Sequence, residues 1–250
     1  IVADAFAGAC YDRYTVPLVA ASGVTQVHAR AIIFATGVIE QPAVFRNNDL
    51  PGIVLATGAQ RLIHRFAVAP CDTCVVLTAN DEGYRAAIDF AAAGIRVAAV
   101  VDMQAAPANG AAAAELLGRG IQLIPDAHID EAHGSGRLEA VTVHSNEEGI
   151  VQEIACDGLM MSVGWAPAGS VVYQAGGRFG YDEGLRQIVP QATPEGIYTA
   201  GRLNGVFSLS ARIEDGRAAA AEAAVFLGRP REARRRPPRG RTPHSHPYPL

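Results

Sequence analysis

The sequence predicts an α/β protein organised around parallel strands, and three observations predict it. Residues 31–35 (Ala-Ile-Ile-Phe-Ala) form a continuous apolar run closed by Thr36-Gly37, the pattern of a strand buried on both faces. Residues 73–102 read as strand, helix and strand within about 30 residues, the span of a βαβ unit. Residues 197–200 form a second short apolar strand that also stops at a glycine, Gly201.

The elements follow in order. Residues 15–20 and 25–30 alternate as strands around a break at Ser22-Gly23, and the apolar run 31–35 comes next. Residues 41–52 hold Pro42, Pro51 and Asn47-Asn48-Asp49, so they form a connection. Residues 56–66 carry apolar side chains at helical spacing. In the βαβ unit, 73–78 is a buried strand and Asn80 or Asp81 is a good helix N-cap. Tyr84, Ala87, Ile88 and Ala91 make one apolar helix face, and Gly94 supplies a left-handed stop. Residues 96–101 are the second strand, closed by Asp102. An Ala-rich helix over 111–117 and a strand over 122–125 continue the pattern. The period then changes to two, so 128–133, 138–144 and 151–156 read as antiparallel strands. Residues 159–163 return to a buried strand. Strands over 178–181, 186–190 and 197–200 and a helix over 212–227 close the body.

Composition narrows the function classes. The chain has 250 residues, 49% hydrophobic and 18% charged, as a soluble globular protein does, and no apolar stretch is long enough for a membrane-spanning helix. The opening Ile1-Val2-Ala3-Asp4 has no basic region or cleavage site and reads as part of a longer protein. Four cysteines are too few for a disulfide scaffold, which points to the cytoplasm. The net charge of −4 divides into +6 on residues 229–241 and −10 on the rest. A body that acidic is not a nucleic-acid binder. The Arg- and Pro-rich residues 229–250 read as an extended, disordered linker, with a basic arm for RNA or an acidic partner as the other reading.

Where the βαβ unit would carry a GxGxxG phosphate cradle, the sequence has Thr78-Ala79-Asn80-Asp81-Glu82-Gly83-Tyr84. Two like charges about 4 Å apart cost roughly 1 kcal/mol in water and about 4 kcal/mol at an effective dielectric of 20. Asp81 and Glu82 against a pyrophosphate therefore outweigh a helix-terminus attraction of ~0.3–1 kcal/mol. Asp102 sits where ribose hydroxyls are read, but without a phosphate cradle it is a strand-end acid. The unit keeps the fold and has lost the nucleotide.

Other motifs carry less. Cys71-Asp72-Thr73-Cys74 has no second CxxC for zinc, and it lies at the wrong end of its strand for redox work, so the thiols are structural. His128, Asp130, Glu131 and His133 lack metal-ligand spacing, and strand alternation puts the two histidines on opposite faces. No catalytic constellation and no metal site emerges.

Two strand-end motifs, Ala31-Ile32-Ile33-Phe34-Ala35-Thr36-Gly37 and Thr193-Pro194-Glu195-Gly196-Ile197-Tyr198-Thr199-Ala200-Gly201, resemble those of two-dinucleotide-binding-domain flavoproteins. Closer resemblance is to the α subunits of heterotetrameric sarcosine oxidases. It rests on Phe45 to Ile53, the Thr78 to Tyr84 stretch, Tyr173-Gln174-Ala175-Gly176-Gly177 and Ser245-His246-Pro247-Tyr248-Pro249. The implied fold is Rossmann-like and FAD/NAD(P)-binding. Its first domain, incomplete here, takes residues 1–66 and 157–228, and an inserted domain takes 67–156. A strand with a GxGxxG helix would precede this stretch, and a folate-binding module would follow it.

The resemblance implies an amine-oxidising oxidoreductase. Its catalytic β subunit holds FAD, its covalent FMN lies at a subunit interface, and its α subunit binds NAD. Hydride abstraction would belong to the β subunit, so this segment would carry no catalytic residues and be inactive alone. The cofactor contacts carried over are Ala35, Thr36 and Gly37, then Gly201, Arg202 and Leu203 with Phe207 and Leu209; Ala5 and Phe6 match the adenine-side strand. Arg202 stands where related flavoproteins usually have Asp. A guanidinium cannot accept from ribityl hydroxyls but can pair with a pyrophosphate, which favours NAD over FAD. The alternatives are a piece of an opine- or hydroxyproline-type FAD-dependent dehydrogenase, and a purely structural assembly module with a degenerate nucleotide fold.

Overall fold

The computed structural model describes residues 1–12, 14–105, 111–146, 149, 151–229 and 234–239. The chain divides into two compact units. The first takes residues 1–39 and 166–242, and the second is built from residues 40–165.

The second unit is a five-stranded parallel sheet. Its strands run in the order Ile53–Leu55, Gly158–Ser162, Thr73–Thr78, Arg96–Asp102 and Gln122–Ile124. Strand alternation sends Val75, Leu77, Leu159 and Met161 to one face, where they pack against an antiparallel sheet of Ala127–His133, Ala140–Ser145 and Val151–Ala155. Cys74, Val76, Val100 and Met160 point the other way, into the helices Ala56–Phe66, Asp81–Ala92 and Ala111–Gly118. Both faces are covered, so these strands read as unbroken apolar runs. Asn80 caps the second of these helices, its side chain accepting from Glu82 N at 3.0 Å and Gly83 N at 3.2 Å. The first helix has no side-chain cap of its own. Glu40 substitutes, its Oε2 accepting from Thr57 N (2.9 Å) and Oγ1 (2.6 Å).

The resemblance implies a first domain of residues 1–66 and 157–228. The strands Ile53–Leu55 and Gly158–Ser162 and the helix Ala56–Phe66 belong to the second unit's sheet layer. Gly158–Ser162 lies between Ile53–Leu55 and Thr73–Thr78, a pairing that only long-range assembly decides.

The first unit holds an antiparallel sheet of Ala5–Ala7, Thr15–Ala20 and Gly23–His28, an antiparallel pair Arg178–Asp182 and Gln187–Ala192, and a parallel pair Ile32–Phe34 and Ile197–Thr199. Its core gathers Cys10, Phe34, Val172, Ala175, Ile197 and Leu203. The apolar run 31–35 is not buried on both faces: Ile33 is 40% exposed, and only Phe34 is buried. Phe34 and Ile32 pack in the unit's core cluster, whereas Ile33 alternates to the opposite face, which no core covers.

The reading of residues 229–250 as a linker also changes. Residues 230–233 and 240–250 lie outside the described residues, but 234–239 pack on the first unit. Arg236 binds Glu222 through Nε (2.7 Å) and Nη2 (2.8 Å), and Arg239 Nη2 donates to Pro190 O at 2.6 Å. Composition marked the segment as unable to build a core; it did not show that buried acceptors elsewhere need its guanidinium groups. Among the described residues no helix is long and apolar enough to cross a membrane.

Asp157 opens the central strand by accepting from Asp72 N (3.0 Å) and Thr73 N (2.7 Å). Burial alone would raise its pKa, but these N–H donors win and hold it below the usual carboxylate value. Such a group stabilises the fold above its unfolded pKa, and that stability is lost as pH falls through the depressed folded value. The expected result is a decline in the urea midpoint as pH falls through and below the ordinary carboxylate range, which Asp157→Asn flattens. Parallel declines for both proteins would show that the N–H contacts are not felt.

Candidate functional site

The parallel pair of the first unit brings two glycine-bearing strand ends side by side. Register pairs Ile32 with Ile197, Ile33 with Tyr198 and Phe34 with Thr199, and Ala200 N donates to Phe34 O at 2.9 Å. Beyond the carboxyl ends come Ala35-Thr36-Gly37 and Gly201-Arg202-Leu203. Gly37 has φ +79° and Gly201 φ +75°, conformations that disfavour a side chain, and a Cβ on either would meet no atom within 4 Å. Two glycine turns with open space above them at strand carboxyl ends are where this fold class takes ligands.

Each turn is anchored from beneath. Thr36 Oγ1 donates to Ala168 O at 2.6 Å, and Ala168 N donates to Gly37 O at 3.0 Å. Gly201–Asn204 forms a short 3₁₀ turn, and Gly201 N donates to Asp215 Oδ2 at 2.8 Å. Asp215 is fully buried on the helix Leu209–Phe226, on one stripe with Ala218 and Ala219. Its carboxylate also takes weak bonds from Asn204 Nδ2 (3.4 Å to each oxygen) and one from Arg236 Nη1 at 2.9 Å. The hydrogen bonds to Glu222 hold Arg236 even more firmly protonated than an ordinary arginine.

The expected contact residues divide. Ala35, Thr36, Gly37, Gly201 and Arg202 come together at the paired turns. The Arg202 guanidinium lies 5.3 Å from the centre of the Phe207 ring, a cation–π distance. Leu203 is fully buried in the core, so its side chain is a packing element. Leu209 is 67% exposed at the first position of its helix, next to the N-cap Ser208. Ala5 and Phe6 belong to the antiparallel sheet, paired with Ala20 and Val19, and Phe6 is 70% exposed. The sequence reading missed Asp215, Asn204 and Arg236. One signal was available: Asp215 is an acid on the apolar stripe of an Ala-rich helix.

The second unit's corresponding edge is chemically different. The first-turn N–H groups of Glu82 and Gly83 are already bonded to Asn80 Oδ1, whose Nδ2 donates to Ser162 O at 2.8 Å. A Cβ on Gly83 would strike Thr78 Oγ1 at 2.1 Å. Asp102 is fully buried, accepting from Tyr84 Oη and from Gln104 N at 3.0 Å. Burial pushes its pKa up despite those donors. An acid turned inward in this way is not presented to a ribose, and Asp81 and Glu82 stand at the helix mouth.

All four cysteines are buried and none forms a disulfide. The neighbouring Cys71 thiol and burial raise the Cys74 pKa, and burial pushes Cys156 up to about 12, so neither is a ready nucleophile. The expectation that His128 and His133 face opposite ways is corrected. A bulge at Asp130 shifts the register, so His128, Glu131 and His133 share the less buried face while Ala127, Ile129 and Ala132 point inward. His128 stacks near His144 at 5.1 Å, and His133 Nε2 bonds Thr142 Oγ1 at 2.6 Å. Among the described residues no group of three or more His, Cys, Asp or Glu side chains is placed to hold a metal ion.

No family model matches the chain. It is 34% identical over 211 residues to the sarcosine oxidase α subunit of Corynebacterium sp. (strain P-1), covering 82% of this chain and 22% of that protein. It is 26% identical over 242 residues to an opine oxidase subunit of Rhizobium meliloti (strain 1021), covering 86% of this chain and 53% of that protein. The chain spans about a fifth of the length of the sarcosine oxidase relatives it matches. Among solved structures, L-proline dehydrogenase from P. horikoshii is similar with a TM-score of 0.64 at 21% identity, over 90% of this chain and 40% of that one. The fold is that of two-dinucleotide-binding flavoprotein oxidoreductases.

Proposed function

We propose, from the premise that this chain is homologous to one stretch of sarcosine oxidase α subunits, that it is the dinucleotide-binding part of one chain of an amine-oxidising oxidoreductase. The observation that carries the reading is the pair of open, positive-φ glycine turns at Gly37 and Gly201 on adjacent parallel strands. NAD is the proposed occupant and FAD the alternative. When bound, such a group supplies a redox-active ring and a doubly charged pyrophosphate.

The residues present fit the pyrophosphate. Gly37 and Gly201 leave room for close approach of a ligand to the backbone, and Arg202 offers a planar cation for bidentate pairing. The Gly201 N–H is occupied by Asp215, so the turn's contribution is shape and Arg202's is charge. In this reading the chain positions a cofactor and scaffolds a catalytic β subunit. Both relatives being named as subunits supports that partner. Buried thiols without disulfides fit a reducing cytoplasm. An FMN site would exist only at a subunit interface of the whole complex.

Denaturing the intact complex and identifying the released, non-covalent dinucleotide tests the reading. NAD assigned to the α chain supports it. FAD from that chain would move the assignment to the opine- or hydroxyproline-type dehydrogenases, and no dinucleotide would leave a structural assembly module. The isolated 250-residue chain is expected to bind NAD or FAD weakly or not at all, and a sub-micromolar affinity in a titration would contradict that.

A further inference from the structure

Asp215 is a carboxylate with no solvent exposure, and a charge in that setting needs a cation and a full set of donors. The cation comes from the segment after the closing helix. Arg236 Nη1 reaches both Asp215 Oδ1 at 2.9 Å and the carbonyl oxygen of Thr199 at 2.7 Å, while its other nitrogens grip Glu222. Thr199 is the last residue of the strand that leads into Gly201. One guanidinium thus touches the strand end before the glycine turn and the acid beneath it.

We propose that Arg236 is the positioning residue of the Gly201–Asn204 turn, holding the Asp215 carboxylate against Gly201 N–H so that the turn keeps its ligand-receptive shape. The ligand class, a pyrophosphate-bearing dinucleotide, rests on the reading proposed above; the positioning role does not. The geometry is directional. Asp215 Oδ2 faces Gly201 N and Oδ1 faces Arg236, so among the described residues removing the guanidinium leaves Oδ1 with only the 3.4 Å contact from Asn204. The carboxylate is then free to rotate away from the turn. Glu222 contacts Arg236 without contacting the turn, so it supplies a control on the same network.

The test is amide hydrogen exchange on the full chain, comparing Gly201 and Asn204 with amides of the Arg178–Asp182 strand in the same unit. Arg236→Ala is expected to speed exchange at Gly201 about tenfold while the strand changes little. Arg236→Lys should recover part of the protection through a single charged contact, and Glu222→Gln should leave Gly201 within about twofold of the parent. In the intact oxidoreductase, Arg236→Ala should also lower retained dinucleotide. Unchanged exchange at Gly201, or equal acceleration across the whole unit, would overturn the proposal and reduce Arg236 to a general clamp. A complex that never held a dinucleotide would instead fail the functional reading, with the exchange result still deciding the role of Arg236.

Discussion

Replacing Asp215 by Ala is expected to cost the first unit about 3–5 kcal/mol, the range for breaking a buried ion pair from one side. Gly201 N loses its acceptor, Asn204 loses its contact and Arg236 keeps only Glu222 and the Thr199 carbonyl. The Arg236 side chain is 28% exposed, so water recovers part of its hydration, which places the expected loss toward the lower end. Urea titration followed by far-ultraviolet circular dichroism, with residue-level exchange assigning the early transition to the first unit, measures it. A loss below about 1 kcal/mol would mean that the network carries little of the unit's stability.

The second large effect belongs to Tyr84. Its ring is fully buried among residues that include Val76, Phe90, Val100 and Leu116, and its hydroxyl donates to the buried Asp102. Tyr84→Ala is expected to cost about 3–5 kcal/mol, as truncation of a buried aromatic does. Tyr84→Phe isolates the hydrogen bond, with an expected cost of about 1–3 kcal/mol for the acceptor left behind. The pH dependence carries a definite sign. Burial raises the folded-state pKa of Asp102. Its contribution is therefore fully present below the unfolded pKa and is lost as pH rises through the folded value. The tyrosine hydroxyl opposes that rise, so Tyr84→Phe should extend the decline to higher pH and Asp102→Asn should remove it. Urea midpoints from acid to neutral pH measure this, and identical slopes for all three proteins would show that Asp102 does not titrate within the fold's stable range.

Much of the second unit could be read from local pattern. The apolar runs at 73–78, 96–101 and 159–163 announced strands, and Asn80 and Gly94 marked the ends of the helix between the first two. Those signals are legible because each depends on a few adjacent residues: capping on one side chain, a left-handed stop on one glycine, burial on unbroken apolarity. The glycine turns at Gly37 and Gly201 were legible for the same reason. What escaped were features set by partners far apart in the chain. Ile33 looked internal because apolarity marks a strand without counting its neighbours. The bulge at Asp130 reversed the facing of His133 because one extra residue shifts an alternation of period two.

Sequence by itself determined the parallel α/β class, the two glycine-ended strands, and the acidic helix mouth at Asp81 and Glu82 that opposes a pyrophosphate. Those follow from side-chain chemistry and spacing, which do not change on folding. Only tertiary structure decided that Asp102 turns inward to Tyr84, that Glu40 caps a helix from outside it, and that Asp215 and Arg236 meet under the Gly201 turn. The reason is that a buried charge finds its partner through space, and spatial neighbours 21 residues apart, as Asp215 and Arg236 are, leave no periodic trace in the chain.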